Sequence, residues 1–279
     1  MNKIRKLGNV SIINEERVRK KDKDNKEIFE YLESRDFHNY LNPLERNEEE
    51  SIYPYIKDIT IDKYQKGEDM IKTVSLLHNK TSYNKEINST KYKKIHDNII
   101  GHVNYLDKYY YEMLDQIELE EFPSPSDTIF LRSYSKLLSL FDFLKQETDR
   151  WYEGVKNKTK QRVVLNHGNL ELDHMLKNDK DYLISWDKST FDSPILDITN
   201  LYHKEWQNLD FEYLLKSYFE RCSLSDDEKK LLFINIAIPN IVKKDKDEMI
   251  NVNAMRSLFD YIYKTEALIR PYYSEEKKE

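Results

Sequence analysis

From about residue 58 onward the apolar residues recur at helical spacing, with one interruption between Arg162 and Ile184, where they gather into runs of two or three. Val163, Val164 and Leu165 form the first run, Met175 and Leu176 the second, and Tyr182, Leu183 and Ile184 the third. Short runs of this kind, bounded by polar turn residues, suit β-strands. The first 57 residues are also β-rich. The chain is thus ordered as a small β-rich segment, a helical segment, a β insert and further helices, and it carries no internal repeat. That order limits the folds it can serve.

Within the first segment, Val10, Ile12 and Ile13, an Asn14-Glu15 turn, and Arg17 to Lys21 predict a pair of strands, with Val18 and Lys20 on one face under period-two alternation. A short helix follows, capped by Asp24 or Asn25, with Ile28, Tyr31 and Leu32 as its apolar stripe as far as about Asp36. Pro43 and the run Arg46 to Glu50 read as a loop or hairpin tip. Ser51 to Ile56 is β-prone, and Pro54 suits it to an edge or to the end of a strand.

The helical part shows three strong stripes. Met70, Val74 and Leu77 mark one helix, and Ile95, Ile99, Val103, Leu106, Tyr110, Met113 and Ile117 mark a long second one. In the third, Phe130, Tyr134, Leu137, Phe141, Leu144, Thr148 and Trp151 recur at alternating steps of four and three, with charged residues between them and Pro123, Pro125 and Ser126 at the start. Beyond Ile195, helices carry Leu214, Tyr218 and Phe219, then Leu231 to Ile238, then Met255, Leu258, Phe259, Ile262 and Leu268.

Composition removes several functions. Only five residues of 279 are glycine, where an average chain would have roughly twenty. Gly8, Gly67, Gly101, Gly154 and Gly168 never cluster, so neither a P-loop nor a dinucleotide-binding turn can form. With 21 Tyr, 11 Phe and 3 Trp there is ample material for a packed core. The net charge of -6 is spread over interleaved acidic and basic residues, which leaves no footprint for duplex nucleic acid. A single cysteine, Cys222, forms no intrachain disulfide and fits a reducing compartment. The apolar run Val10 to Ile13 is too short for a signal peptide, and Leu231 to Val242 is too short and too broken to span a bilayer. The expected location is the cytoplasm, with neither nucleic acid nor membrane as partner.

Residues 163 to 198 read VVLNHGNLELDHMLKNDKDYLISWDKSTFDSPILDI. This segment resembles the aminoglycoside phosphotransferase and choline kinase family. In that family a His-Gly-Asp loop is followed five residues later by Asn, then by a strand ending Ile-Asp-Trp-Asp/Glu, and then by Pro and Asp-Leu at a helix start. His167-Gly168, Leu176, Leu183-Ile184, Trp186-Asp187, Pro194 and Asp197-Ile198 match in register, and Leu76-Leu77-His78 is similar to a helix end common in the family. Among the branches, the small, glycine-poor spore-coat kinase-like proteins look nearest. The resemblance implies an α+β, bilobal protein-kinase-like fold, with a small β-rich N-lobe over residues 1–57 and a large, mainly helical C-lobe over residues 58–279.

Three departures fall on the chemistry. The loop Asp that acts on the substrate hydroxyl is Asn169, whose amide cannot take a proton. The metal-binding Asn is His174, and the metal-binding Asp of the strand end is Ser185. Magnesium requires hard, charged oxygen donors, and these residues supply few. Asp173 and Asp187 stand beside the replaced positions and could take over their roles. Alternatively His167, Asp173, His174 and Asp187 could together hold a softer metal. Against this, Asp173 could be a turn residue, Asp187 a solvated or loop-capping carboxylate, and His167 a hydrogen-bonding partner of its own loop's backbone. Asp197, which in the family holds the loop, is read with Gly168 as structural.

In the N-lobe, the resemblance assigns Lys20 to phosphate anchoring, with Glu27 or Glu30 as its ion-pair partner, although Lys20 also belongs to the basic run of Arg17, Arg19, Lys21 and Lys23. The expected function is a catalytically inactive or impaired kinase-fold protein, a pseudokinase, that binds a nucleotide without turnover, a small ligand between the lobes or a protein partner, and needs no cofactor. The alternative is an active ATP- and Mg²⁺-dependent small-molecule phosphotransferase with displaced groups. A metal phosphohydrolase built on His78, His96, Asp97 and His102 has only a His-Asp pair in its favour. Tyr109, Tyr110, Trp151, Tyr202 and Trp206 could form an aromatic box for a quaternary ammonium, but core packing is the better reading for most of them.

Overall fold

The computed structural model describes residues 4–7, 10–21, 25–47, 50–88 and 90–274. In chain order the elements are β1 (Ile4–Leu7), β2 (Val10–Ile13), β3 (Arg17–Lys20), α1 (Lys26–Ser34), β4 (Glu45–Arg46), β5 (Ser51–Pro54), α2 (Lys63–Thr81), β6 (Tyr83–Glu86), α3 (Thr90–Glu118) and α4 (Pro125–Val155). They continue with β7 (Lys160–Asn166), β8 (Met175–Lys177), β9 (Asp181–Leu183), β10 (Thr190–Asp192), α5 (Ile195–Glu205), α6 (Phe211–Arg221), α7 (Asp226–Ala237) and α8 (Glu248–Ser274).

The N-terminal strands form a five-stranded sheet in the order β1-β2-β3-β5-β4, antiparallel throughout. The β2–β3 hairpin lies where alternation places it. Asn14 and Glu15 both take positive φ, 54° and 56°, in its turn. Val18 and Lys20 share the half-buried face of β3. Pro54 ends β5, where its missing N–H costs no ladder bond. In α1 the buried residues are Phe29 and Leu32, while Ile28 and Tyr31 are only half-buried. Asn25 stands at the N-cap position, buried, but its side chain makes no capping hydrogen bond. Asp24, the other expected cap, and Lys23 and Gly8 lie outside the described residues.

Two compact units are present, Met1–Lys85 with Gln161–Leu224, and Glu86–Lys160 with Ser225–Glu279. Residues 1–57 thus share a unit with the central β insert. The main-chain ties are explicit: Leu183 N–H donates to Asn39 O at 2.8 Å, the Asn39 amide donates to Asp181 O at 2.8 Å, and Tyr40 bridges to Leu183. In this unit β8 and β9 form a hairpin, α2 packs on α6, and Met70, Ile71, Val74 and Leu77 of α2 are fully buried. β10, β7 and β6 form a further sheet.

The second unit is helical, with α4 packing on α3, α7 and α8. Its stripe of Phe130, Leu137, Phe141, Leu144, Thr148 and Trp151 is buried as expected, with Tyr134 at its edge. Ser124 caps α4, and a reciprocal Ser225–Glu228 capping box starts α7. Tyr110 and Trp151 are core residues here, with the Tyr110 ring stacked on Phe130 and Phe141. In the first unit Tyr202 is also buried. These three side chains are used for packing and are not available to an aromatic box. No helix among the described residues is long and apolar enough to cross a membrane.

Candidate functional site

The loop after β7 is built around one buried carboxylate. Asp197, in the first turn of α5, is fully buried and accepts the N–H groups of His167 at 2.7 Å and Gly168 at 2.8 Å. His78 at the end of α2 adds Nε2 at 3.2 Å, and since a carboxylate only accepts, that nitrogen carries the proton. The other nitrogen of His78 meets the Tyr218 hydroxyl at 2.7 Å. Burial alone would raise the Asp197 pKa, but the hydrogen bonds and charge around it, led by His78, hold it below the ordinary carboxylate range. Gly168 takes φ +76°, and a Cβ there would stand 2.1 Å from Lys188 O, so the loop requires glycine at this point.

His167 has no access to solvent. Its Nε2–H donates to Ile184 O at 2.8 Å and its ring meets Trp186 edge-on at 4.7 Å, while Nδ1 is buried without a hydrogen-bond partner. Burial pushes its pKa down to about 4, so the ring is neutral at neutral pH. The acceptor is the neighbouring strand end rather than the ring's own loop, so His167 ties the two motif segments together. It cannot act as a solvent-coupled acid or base.

Asn169 and His174 are joined to each other, because His174 Nδ1 donates to Asn169 O at 2.7 Å. The Asn169 side-chain oxygen accepts from Lys204 Nζ at 3.1 Å, and Lys204 also pairs with Glu171. That pair holds the Glu171 pKa below its ordinary value, hydrogen bonding being the largest cause. Lys204 and Glu171 were not expected here, yet a weak signal existed. Lys204 follows Asp197 by seven residues, two turns along one helix face.

At the second strand end, Ser185 takes a left-handed conformation, φ 69° and ψ 56°, and Trp186 Nε1 donates to Leu183 O at 2.9 Å. Asp187 pairs with Lys20 at 2.6 Å, both side chains partly buried. The expected partner Glu30 is exposed and pairs instead with Lys26 of its own helix at 3.7 Å. Glu27 is exposed as well. The reason is directional: Lys20 lies on the face of β3 that meets the β insert, where Asp187 lies. Asp173 is exposed, apart from this pair.

Among the described residues no three or more His, Cys, Asp or Glu side chains gather where they could hold a metal. The shared soft-metal site of His167, Asp173, His174 and Asp187 is therefore not formed, since His167 is buried, Asp173 exposed and Asp187 paired. A magnesium ion would find an amide, an imidazole and a hydroxyl at the three motif positions, a donor set that does not fit it. The phosphohydrolase set is not assembled either. His78 is committed to Asp197 and Tyr218, His96 to Asp149 and Asp97, and His102 is exposed.

Beside Lys20 lies a cavity of about 260 Å³. Val10, Ile12, Val18, Tyr53 and Pro54 line it from the N-terminal sheet, and Leu176, Leu183, Ile184 and Trp186 from the β insert, with Phe29, Leu41, Tyr55, Ile56 and Ser185 completing it.

An antiparallel N-terminal sheet followed by helices with a β insert between them in chain order makes this a protein-kinase-like fold. It is similar to an aminoglycoside phosphotransferase from Alicyclobacillus acidocaldarius subsp. acidocaldarius DSM 446, with a TM-score of 0.69 and 10% identity over 98% of this chain and 92% of that one. It is also similar to a spectinomycin phosphotransferase in complex with ADP and spectinomycin, with a TM-score of 0.53 and 11% identity over 96% of this chain and 92% of that one. The AMP-bound complex of spectinomycin phosphotransferase matches with a TM-score of 0.50 and 12% identity over 97% of this chain and 87% of that one. No protein-family model matches the chain, and no curated protein matches it. At these identities the likeness is one of fold. It does not single out the spore-coat kinase-like branch.

Proposed function

We propose that this chain is a ligand-binding protein on a kinase-like fold, a pseudokinase, which does not carry out magnesium-dependent phosphoryl transfer and binds its ligand in the cavity beside Lys20. The observation that carries this is the joint state of the motif positions. Asn169, His174 and Ser185 supply no carboxylate, and of the nearby acids Asp187 is paired with Lys20 and Glu171 with Lys204, while Asp173 is exposed. Phosphoryl transfer depends on positioning and on neutralising phosphate charge, so a loop without base or metal ligands lacks most of what a protein contributes to it. The scaffold of the loop is nevertheless held by Asp197 and Gly168, which supports retained binding. Solved neighbours of this fold include phosphotransferases seen with ADP or AMP. With its single, buried Cys222, we place the protein in the cytoplasm.

The competing function, an active small-molecule phosphotransferase, has two observations in its favour: Asp187 lies against Lys20, and Glu171 lies near Asn169 through Lys204. Thermal unfolding with ATP, with and without Mg²⁺, combined with a phosphate-release assay separates the two. The expected result is the same melting temperature in both and no released phosphate. Stabilisation that needs Mg²⁺, with phosphate release abolished by Asp187→Ala, would establish the active enzyme instead.

A further inference from the structure

The helical unit holds a cavity of its own, about 360 Å³ in volume, between α4, α7 and α8. We propose that it binds a single-chain amphiphile with an anionic head, a free medium-chain carboxylate, whose head lies at Lys136 and Arg270 and whose chain follows the seam between α4 and α8. This does not depend on the cavity beside Lys20, whose lining residues all belong to the other unit.

The shape follows from how the two long helices run. Lys136 Nζ on α4 stands 3.9 Å from Glu266 on α8. Seven residues further along each helix, the rings of Phe143 and Tyr273 meet edge-on with their centroids 5.4 Å apart. Contacts at the same offset at both ends mean that α4 and α8 run parallel and in step over two turns, roughly 10 Å at the rise of an α-helix. Ala237 of α7 and Ile262 and Ile269 of α8 form a buried floor to this seam, and Leu140 stands half-buried at its side. The two hydroxyls in the lining donate to carbonyls of their own helices, Ser139 to Ser135 O at 3.0 Å and Thr265 to Tyr261 O at 2.8 Å. With those protons already committed, the trough presents mainly apolar surface, and its volume is in the range of small-ligand sites.

The polarity of the trough has a direction. The charged residues among those lining it are Lys136, Glu266 and Arg270. They gather at one end, because Arg270 reaches back one turn to pair with Glu266, while the Phe143–Tyr273 ring pair lies at the other. Two cations share one carboxylate here, so this end carries a net positive charge that one further carboxylate neutralises. Lys136 and Arg270 are both largely exposed, so a head placed there keeps contact with water while its chain leaves it. An apolar trough with one positive end fits a tail with an anionic head and disfavours an amine of the same shape.

The test is titration calorimetry on the full chain with hexanoate, octanoate and decanoate, and with 1-octanol and octylamine as head-group controls. Carboxylate affinity is expected to rise by about fourfold for each CH₂ added until the trough is filled. Octanoate is expected to bind more tightly than 1-octanol by about fivefold or more, the size of one charge contact near 4 Å in water, and octylamine more weakly than either. Lys136→Gln and Arg270→Gln, both at exposed side chains that the fold tolerates changing, are each expected to weaken octanoate by about fivefold and to leave 1-octanol unchanged. Glu266→Gln removes the competing carboxylate and is expected to strengthen octanoate by a similar factor. Absence of binding by all three carboxylates overturns the proposal. So does 1-octanol or octylamine binding as tightly as octanoate, which would mark a non-selective apolar surface. Octanoate affinity unaltered in both Lys136→Gln and Arg270→Gln would place the head elsewhere and overturn it too. Association with phosphatidylglycerol vesicles by a chain that takes no free carboxylate would assign the surface to a membrane instead.

Discussion

Asp197→Ala removes the acceptor of the first two N–H groups of the loop, those of His167 and Gly168. Three donors lose their partner at once: the N–H groups of His167 and Gly168 and the Nε2–H of His78, all in a site where the carboxylate has no solvent exposure. One orphaned buried donor costs about 1–3 kcal/mol, and here three are orphaned together. The expected loss is therefore at least about 3 kcal/mol, a large share of a typical domain's 5–15 kcal/mol or so. Asp197→Asn should not rescue it, because one oxygen becomes an NH₂ that must face an N–H. The pH dependence has a defined sign. The folded pKa of Asp197 lies below the unfolded value, so its contribution is complete above about pH 3.9 and is lost as pH falls through the lower folded value. Asp197→Ala should lose that acid-side decline. Urea unfolding gives the stability, and hydrogen exchange at the His167 and Gly168 amides shows whether the loss lies in the loop. A loss below about 1 kcal/mol, with both amides still protected, would refute the role of Asp197 as the loop's anchor.

Two further outcomes can be checked by melting experiments. Gly168→Ala forces an L side chain to φ +76° and sets a Cβ against the Lys188 carbonyl, and should destabilise the protein by about 2–4 kcal/mol; an unchanged melting temperature would mean the loop can relax. His96 lies between Asp149 at 2.8 Å and Asp97 at 3.0 Å; burial lowers its pKa, but the two carboxylates outweigh it and hold it above the ordinary value. Its stabilising contribution should be full below about pH 6.5 and fade as pH rises through the higher folded value. His96→Gln should flatten this dependence, with a difference of no more than about 1 kcal/mol because Asp149 is largely exposed; equal pH profiles would show that the contact carries no coupling.

What could be read in the chain follows from how its contacts are spaced. The β2–β3 hairpin was legible because Val18 and Lys20 alternate with exposed arginines across an Asn14-Glu15 turn, and α4 because its core stripe from Phe130 to Trp151 repeats over about six turns. β1, β6 and β10 were not, since they are short and their faces are mostly exposed; main-chain pairing holds them, and that leaves no apolar period. At the site, His167-Gly168 and Asp197 were legible as a motif, and the structure brings them within hydrogen-bond distance across 29 to 30 residues. The partner of Lys20 was misplaced to Glu30. A helix following a strand offers a local candidate, whereas Asp187 is 167 residues away and carries no signal of its direction. Lys204 and Glu171 were missed for the same reason, as the contact between them forms only once α5 lies beside the loop.

The proposed lack of magnesium-dependent chemistry rests on Asn169, His174 and Ser185 standing in a loop whose form Asp197 and Gly168 hold. The combined change Asn169→Asp, His174→Asn and Ser185→Asp restores a carboxylate at two positions and a hard oxygen donor at the third while leaving Asp197 and Gly168 untouched. ATP affinity of this variant, measured by calorimetry with and without Mg²⁺, tests the claim most directly. The expected result is a Mg²⁺-dependent gain of about tenfold or more over the parent chain. Equal affinities in Mg²⁺ and EDTA, in a variant that melts like the parent, would contradict it.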